Sequence, residues 1–171
     1  DVWRESKTQG LKYKFKNTNI ILQGGIDDVW FNTKTKELIV VDYKSQASPK
    51  EVSQDTYFDK SGYHGSYKTQ LDFYAYLMKG MNLEYGISDD SYLYVVNGLD
   101  VEEGFNAEIK FSETLIHHKI ETDYLDYEIQ KMIDTINSEK IPESNKSCKN
   151  CAYARQRSVI DTLGKSKKKK R

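Results

Sequence analysis

Apolar and polar positions in the first quarter of the chain alternate in the manner of β-strands. Residues 11–16 alternate apolar and basic side chains, residues 20–23 are largely apolar and β-branched, and a third apolar stretch lies at residues 26–31. This pattern predicts two or three strands. The polar segment 32–36 separates the third stretch from the next apolar run at residues 37–44, and therefore predicts a hairpin connection.

One predicted strand is apolar at four consecutive positions. Leu38, Ile39, Val40 and Val41 follow one another without a polar interruption. A strand that faces water on one side alternates apolar and polar residues, whereas a strand that is covered on both faces does not. We therefore expect the strand at residues 37–44 to lie at the centre of the sheet.

The rest of the chain predicts a loop, a helix, two strands and a second helix, in that order. They are a polar loop at residues 45–65, a largely buried helix at 66–81, strands at 91–97 and 105–120, and a helix capped by Thr122 or Asp123 that ends before Pro142. Strands and helices in this order favour an α/β fold with a central mixed β-sheet flanked by α-helices.

The composition is that of one polar domain. The chain has 171 residues, of which 37% are hydrophobic and 30% charged, and no apolar run approaches the roughly 18 residues of a membrane-spanning helix. We expect a domain at residues 1–157 and a basic, disordered tail at residues 158–171. Only two cysteines are present, which favours the reducing interior of a cell and predicts a cytoplasmic location.

The positive charges of the chain are concentrated at its end. The formal net charge is zero, but six of the last seven residues are Lys or Arg, and removing these six leaves 20 basic residues against 26 acidic ones. An acidic body argues against a DNA-binding surface that covers the whole domain. The candidate phosphate contacts of the tail are Lys167, Lys168, Lys169 and Lys170. Basic runs at chain ends are, however, commonly disordered or serve as targeting signals.

The candidate chemistry lies at two adjacent segments of the predicted sheet. Gly24-Gly25-Ile26-Asp27-Asp28 is followed by Asp42-Tyr43-Lys44 at the end of the most apolar strand. Side chains alternate between the faces of a strand, so Asp42 and Lys44 share one face while Tyr43 points to the other. The same alternation allows only one of Asp27 and Asp28 to join them, and we favour Asp27.

Two carboxylates that converge on one point favour a bound cation. Asp27 and Asp42 would repel each other unless a positive ion neutralised them. Oxygen ligands favour Mg²⁺ or Mn²⁺, and Mg²⁺ in proteins typically bridges carboxylates and substrate phosphates. Lys44 would orient a water molecule or offset negative charge, so the two carboxylates, the metal and this lysine are suited to phosphodiester hydrolysis. An isolated Asp-x-Lys pair is more often an exposed ion pair of little consequence, and it is the surrounding sequence that favours the functional interpretation.

These segments, with Gln70-Leu71-Asp72-Phe73-Tyr74, resemble the motifs of the RecB-like branch of the PD-(D/E)xK nucleases, which read G-x-x-D, D-Y-K and Q-x-x-x-Y. The resemblance implies a restriction-endonuclease-like core in which Asp27, Asp42 and the main-chain carbonyl of Tyr43 bind Mg²⁺ or Mn²⁺. It further implies that Lys44 acts in catalysis and that Gln70 and Tyr74 support the site. Gln70 and Tyr74 are four residues apart and therefore lie on one face of a helix.

The cysteines depart from the pattern of the iron–sulfur members, which include CRISPR-associated RecB-like exonucleases. Those members gather three cysteines after the second helix and place a fourth upstream. Here Cys148 and Cys151 are the only two, and Arg157 stands where a third is expected. Two thiolates are half of a usual zinc or iron–sulfur ligand set, so we expect no cluster within this chain. A metal shared with a second chain, or a ligand in an upstream segment, stays an alternative.

A second departure is the acidic or histidine motif that relatives place on an N-terminal helix. No match precedes residue 20, and we expect that helix to lie upstream of this chain. The resulting hypothesis is a DNA-cleaving hydrolase, more an exonuclease or processing nuclease of repair, recombination or mobile elements than a restriction enzyme. DNA and a fused or separate helicase are the expected partners. The alternatives are a catalytically weakened nucleic-acid-binding or partner-binding module, and an interaction domain whose cysteines complete a partner's metal site.

The remaining aromatic and histidine residues are interpreted as ordinary. The tyrosines of the helix at residues 66–81 run around its whole circumference, which favours a core role over a base-stacking platform. His117 and His118 lack metal-ligand spacing, and His64 is a candidate for DNA contact only through its place in the long loop.

Overall fold

The computed structural model describes residues 10–58, 63–99 and 107–168. They form six strands and three helices: β1 (Leu11–Lys14), β2 (Ile21–Gly24), β3 (Asp28–Asn32), β4 (Glu37–Ala47), α1 (Gly65–Gly80), β5 (Gly86–Leu99), β6 (Lys110–Lys119), α2 (Leu125–Asn137) and α3 (Lys149–Lys168). The predicted α/β fold, a mixed sheet flanked by helices, is confirmed.

The main sheet has four strands in the order β3-β4-β5-β6. Strands β4 and β5 run parallel, and both outer strands pair antiparallel with their neighbours. The hairpin between β3 and β4 is confirmed, with Asn32 opposite Glu37 in its register. Strands β1 and β2 form a separate two-stranded sheet rather than part of the central one, because the chain leaves strand geometry at Gly25 and returns to it only at Asp28.

Strand β4 occupies the interior position that its apolar run predicts. Val40 and Val41 are both fully buried although their side chains lie on opposite faces of the sheet. Helix α1 covers the face that carries Val40 and contacts β1, β2, β4 and β5. Its buried residues Leu71, Ala75, Leu77 and Met78 join the core. The polar ends of Asp42 and Lys44 thus lie at the border of an apolar layer.

Helix α1 is also fixed to the chain beyond β6 by a buried aspartate. Asp72 accepts hydrogen bonds from the main-chain N–H of Glu121 (2.9 Å) and the hydroxyl of Tyr124 (2.9 Å), and it pairs with Nε2 of His118 (2.7 Å). A buried carboxylate needs such partners to offset its lost hydration. His118 therefore has the ordinary, partly buried role expected from the sequence.

Two compact units divide the chain, one ending at Tyr127 and the other beginning at Glu128. The predicted domain boundary at residue 157 stays a prediction. Helix α3, in the second unit, was not predicted: it runs through Lys168, so residues 158–168 are helical where the sequence indicates an irregular tail. Strand β6 begins at Lys110, and the expected strand residues 105 and 106 lie outside the described residues.

None of the helices in the described residues is both long enough and apolar enough to cross a membrane.

Candidate active site

The second half of β4 brings a carboxylate and an ammonium together on the face that α1 covers. Asp42 is 1% exposed, and its Oδ2 forms an ion pair with Nζ of Lys44. Tyr43, between them, is 40% exposed and its ring packs edge-on against Tyr94 on the opposite face. The predicted alternation of these side chains is therefore observed.

The two adjacent aspartates before β3 point in different directions. Asp27 lies in the bend before the strand, and its Oδ2 accepts a hydrogen bond from the main-chain N–H of Tyr43 (3.0 Å). Asp28, the first residue of β3, instead accepts hydrogen bonds from the hydroxyl of Tyr43 and from Nε1 of Trp30 (3.3 Å). Only Asp27 is thus placed beside Asp42, as the sequence favoured.

A single amide group from α1 connects the residues of the site. Nε2 of Gln70 donates to Oδ1 of Asp42 (3.1 Å) and to the hydroxyl of Tyr74 (2.8 Å), while Oε1 accepts from Nζ of Lys44 (3.0 Å). The reversed amide would aim its oxygen at the carboxylate and its NH₂ group at the ammonium, and both contacts would be repulsive. The Gln70 amide therefore has one favourable orientation, and in it the side chain bridges Asp42 and Lys44.

Tyr74 contacts the site through its ring as well as its hydroxyl: the hydroxyl accepts from Gln70, and the ring lies beside Gly24. A Cβ atom added to Gly24 would lie 3.0 Å from Cε1 of Tyr74 and 3.3 Å from Cδ1 of Leu77. The glycine at the end of β2 thus lets α1 approach the strand closely. The sequence motif indicated that Gly24 matters, but which helix it admits required the structure.

The electrostatics of the site are dominated by the burial of Asp42. Burial raises the pKa of Asp42 above its usual range, the hydrogen bond and charge of Lys44 lower this pKa, and the nearby Asp27 carboxylate raises it again. The pKa of Asp42 is raised overall, so the positive charge of Lys44 does not fully offset the burial of Asp42 and its repulsion by Asp27. A second positive charge would relieve this imbalance.

The chemistry of this donor set fits a hard divalent cation. Asp27 and Asp42 supply carboxylate oxygens, and magnesium sites commonly use one or two carboxylates and complete their shell with water and phosphate. No cluster of three His, Cys, Asp or Glu side chains suited to a metal occurs within the ranges that the structure describes. Two carboxylates are thus the acidic ligands available there, and the carbonyl of Tyr43 stays a predicted ligand.

The cysteines form a close pair in the second unit. Sγ of Cys148 and Sγ of Cys151 are 2.8 Å apart, and the main-chain N–H of Cys151 donates to Sγ of Cys148 (3.2 Å) at the start of α3. Hydrogen bonds from Cys151 lower the pKa of the Cys148 thiol. The structure brings the two predicted partial ligands together, and the question of zinc or iron–sulfur binding stays a prediction.

The candidate lysines of the tail are only partly covered. Lys167 and Lys168 close helix α3, whereas Lys169 and Lys170 lie outside the described residues. Their contact with DNA stays a prediction.

The sequence did not indicate the aromatic neighbours of Lys44. Nζ of Lys44 lies 4.5 Å from the ring centroid of Tyr67, which in turn packs on Tyr57 and His64 from the loop before α1. A cation above an aromatic face is stabilised by the charge distribution of the ring. Tyr67 lies three residues before Gln70, and this helical spacing is the signal that could have placed it at the site.

Comparison with protein families gave a match over nearly the whole chain. The model of the PD-(D/E)XK nuclease superfamily matches residues 2–156. Neither the curated proteins nor the solved structures gave a match to this chain.

Proposed function

This chain belongs to the PD-(D/E)XK nuclease superfamily, and we propose that it is a metal-dependent nuclease that hydrolyses phosphodiester bonds of DNA. Membership of the superfamily suggests a nuclease, and nucleases of this superfamily generally use Mg²⁺ or Mn²⁺. The observation that carries the proposal is the network in which Gln70 joins buried Asp42, Lys44 and Tyr74. All three motifs of the expected active site meet in it or border on it.

Each residue of the site has a chemical task in this proposal. Asp27 and Asp42 would hold the metal, which when bound polarises the scissile phosphate and acidifies a water molecule. The Lys44 ammonium orients the attacking water and offsets the negative charge that develops on the phosphate. Gln70 keeps Lys44 at a fixed distance from Asp42, and the main-chain N–H of Tyr43 holds the Asp27 carboxylate.

The finer identity that we propose is a RecB-like exonuclease or processing nuclease of repair, recombination or mobile elements. The order of the three motifs supports this branch, as does the helical Gln70–Tyr74 pair, whose amide and hydroxyl are in contact. A fused or separate helicase is the proposed partner, and the cytoplasm is the proposed location because of the low cysteine content.

Cleavage of end-labelled single- and double-stranded DNA in Mg²⁺, Mn²⁺ or EDTA tests the proposal. We expect cleavage that needs the metal and that falls at least about 100-fold in Asp42→Asn and Lys44→Ala. Gln70→Ala is expected to fall about 10- to 100-fold, as is usual when a residue that orients a metal ligand is removed. End products that shorten stepwise would identify an exonuclease.

Asp28→Asn is the matched control, since Asp28 is adjacent in sequence but bonded to the Tyr43 hydroxyl on the other face. This variant should cleave nearly as well as the native chain, whereas Asp27→Asn should not. Equal losses in both variants would contradict the assignment of Asp27.

A second candidate function is a nucleic-acid-binding module with weakened catalysis. It is favoured by the presence of only two acidic ligands at the site in the part of the chain that the structure covers. DNA binding in EDTA without cleavage in any metal would support this candidate over the nuclease.

A further inference from the structure

Four aromatic side chains form a cluster beside α1, which we call the tyrosine–histidine cluster: Tyr57, Tyr63, His64 and Tyr67. The rings of Tyr57, His64 and Tyr67 are nearly parallel, with interplanar angles of 15° to 21° and centroid distances of 4.5 to 6.4 Å. Tyr63 stands edge-on to His64 (4.6 Å) and to Tyr67 (5.8 Å). Such an arrangement presents ring faces and edges at a fixed spacing.

This cluster adjoins the catalytic residues directly. The Tyr67 ring lies below the Lys44 ammonium at 4.5 Å. Burial raises the pKa of Tyr57 to about 12, with smaller contributions from Tyr67, from Tyr63 and from the negative charge of Asp42. A nucleotide next to the bond being cut would therefore reach the cluster.

Exposure increases sharply from one side of the cluster to the other. Tyr57 is 6% exposed and belongs to the core, whereas Tyr63 is 71% exposed. Core packing accounts for Tyr57 but not for a large aromatic side chain that is held in place and mostly open to water. His64, between them in exposure, is held by a contact of its Nδ1 with the carbonyl of Tyr57 (3.2 Å).

Positive charge accompanies the aromatic surface. Nζ of Lys68 lies 4.9 Å from the ring centroid of Phe58, which packs edge-on against Tyr57. Lys68 and Phe58 also line a cleft of about 540 Å³ that continues to Lys119 and includes one acidic residue, Asp55. Aromatic rings combined with lysines are the means by which proteins bind unpaired nucleic-acid strands.

We propose that the tyrosine–histidine cluster binds an unpaired nucleobase of the substrate strand by stacking on Tyr63, while Lys68 contacts the adjoining phosphate. This inference rests on the proposed function and specifies the substrate of the same site. Inside a continuous duplex each base is covered on both faces by its stacked neighbours, whereas an unpaired base can offer a whole face to a protein ring. The site therefore selects single-stranded or frayed ends over continuous duplex.

Binding of two oligonucleotide probes in EDTA, where no cleavage occurs, tests the proposal. One probe is fluorescein-labelled oligothymidylate, and the other is an oligomer of the same length that consists of abasic sites and carries the same phosphates. The native chain should bind oligothymidylate more tightly. Tyr63→Ala should weaken this binding about 5- to 100-fold, the range for loss of one base–aromatic stack, and leave binding of the abasic probe unchanged.

Two further variants separate stacking from other effects. Tyr63→Phe keeps the ring and should bind like the native chain. Tyr85→Ala removes another exposed tyrosine, whose ring is tilted against that of Phe31 at the opposite end of the parallel strands, and should also bind like the native chain.

Equal binding of both probes, or no effect of Tyr63→Ala, would overturn the inference, as would tighter binding of a blunt duplex than of oligothymidylate. These outcomes are distinguishable from failure of the proposed function. Metal-dependent cleavage that is lost in Asp42→Asn is measured independently of probe binding. Base-dependent binding without any cleavage would support the stacking site and contradict the proposed nuclease activity.

Discussion

At the scale of single residues, the buried Asp42 carboxylate supplies negative charge for the proposed metal, but its ionised form destabilises the folded state. Its carboxylate is almost inaccessible to water, is paired with Lys44 and is held by Gln70. Burial nevertheless raises the pKa of Asp42 above its usual range. The ionised site is therefore stabilised less by the protein than it would be by water, which is the condition expected of a carboxylate arranged for a cation.

The consequence for stability has a definite sign. Because the pKa of Asp42 is higher in the folded state than in the unfolded one, the folded state holds the proton more tightly. The corresponding stability is fully present below the unfolded pKa and is lost as pH rises through the folded pKa. In EDTA at neutral pH, Asp42→Asn should therefore unfold at a higher temperature than the native chain, and the difference should shrink as pH is lowered toward about 4.

Added Mg²⁺ or Mn²⁺ should reverse this ranking, since the cation stabilises only a chain that binds it. Thermal unfolding with and without metal at several pH values provides the measurement, and Asp28→Asn serves as the control that keeps the metal response of the native chain. A native chain whose stability in EDTA does not increase relative to Asp42→Asn on acidification would contradict the assigned role of burial.

Much of the site could be predicted at this scale because strand alternation and helical spacing are local rules. They placed Asp42 with Lys44 and Gln70 with Tyr74. They could not show that Asp28 bonds to Tyr43, nor that Tyr67 lies against Lys44, since both contacts depend on how segments distant in the sequence pack. The high exposure of Tyr63 could not be predicted either, because the sequence pattern around it does not show whether its side chain is buried.

At the scale of elements, the approach of α1 to β1 depends on one glycine. A Cβ atom at Gly80 would lie 2.5 to 2.7 Å from Cδ2, Cγ and Cε2 of Tyr13. These atoms belong to the body of a ring that is itself packed edge-on against Tyr76, so the ring cannot move aside freely. Helix and strand thus approach each other closely at Gly80, where no side chain intervenes.

Gly80→Ala is therefore expected to destabilise the protein, although alanine favours helices. The gain in helix propensity is about 1 kcal/mol, while forcing a methyl group into a packed contact costs about 1 to 3 kcal/mol. We expect a net loss of about 1 kcal/mol in the free energy of unfolding, measured by urea denaturation. Gly65→Ala in the same helix, where an added Cβ meets nothing within 4 Å, should be neutral or stabilising.

A stability of Gly80→Ala equal to that of Gly65→Ala would show that Tyr13 can yield, and would contradict the close packing of α1 on β1.

Elements that bury apolar residues in the core were predictable, and those that do not were missed. Strand β4 and helix α1 carry apolar residues that the core requires, so their pattern is present in the sequence. In residues 149–160, the part of α3 whose side chains the structure describes, none is buried, and Tyr153, Val159 and Ile160 are each at least 60% exposed, so this part offers no apolar periodicity to detect. The separation of β1 and β2 from the main sheet also escaped prediction, because pairing partners are not encoded locally.

At the scale of the whole molecule, the charge distribution separates two ways of holding DNA. The last seven residues carry six positive charges, and the remainder of the chain is acidic. Contacts between lysines and phosphates release counterions, so their contribution to affinity falls steeply with salt, whereas stacking on an aromatic ring depends little on salt. The tail and the tyrosine–histidine cluster should thus dominate under different ionic conditions.

Removal of residues 165–171 should lower DNA affinity at low salt and flatten its salt dependence. For single strands each phosphate contact contributes about 0.7 to the slope of log K against log salt, so the slope should decrease by up to about 4. Metal-dependent cleavage at saturating DNA should be retained, because the carboxylates, Lys44 and Gln70 all precede the deletion. An untruncated chain with serine at the six basic positions controls for length and should behave like the truncated one. An unchanged slope after the truncation would exclude the tail from DNA contact. Tyr63→Ala should show the converse behaviour, namely a lower affinity at every salt concentration with the same slope as the native chain.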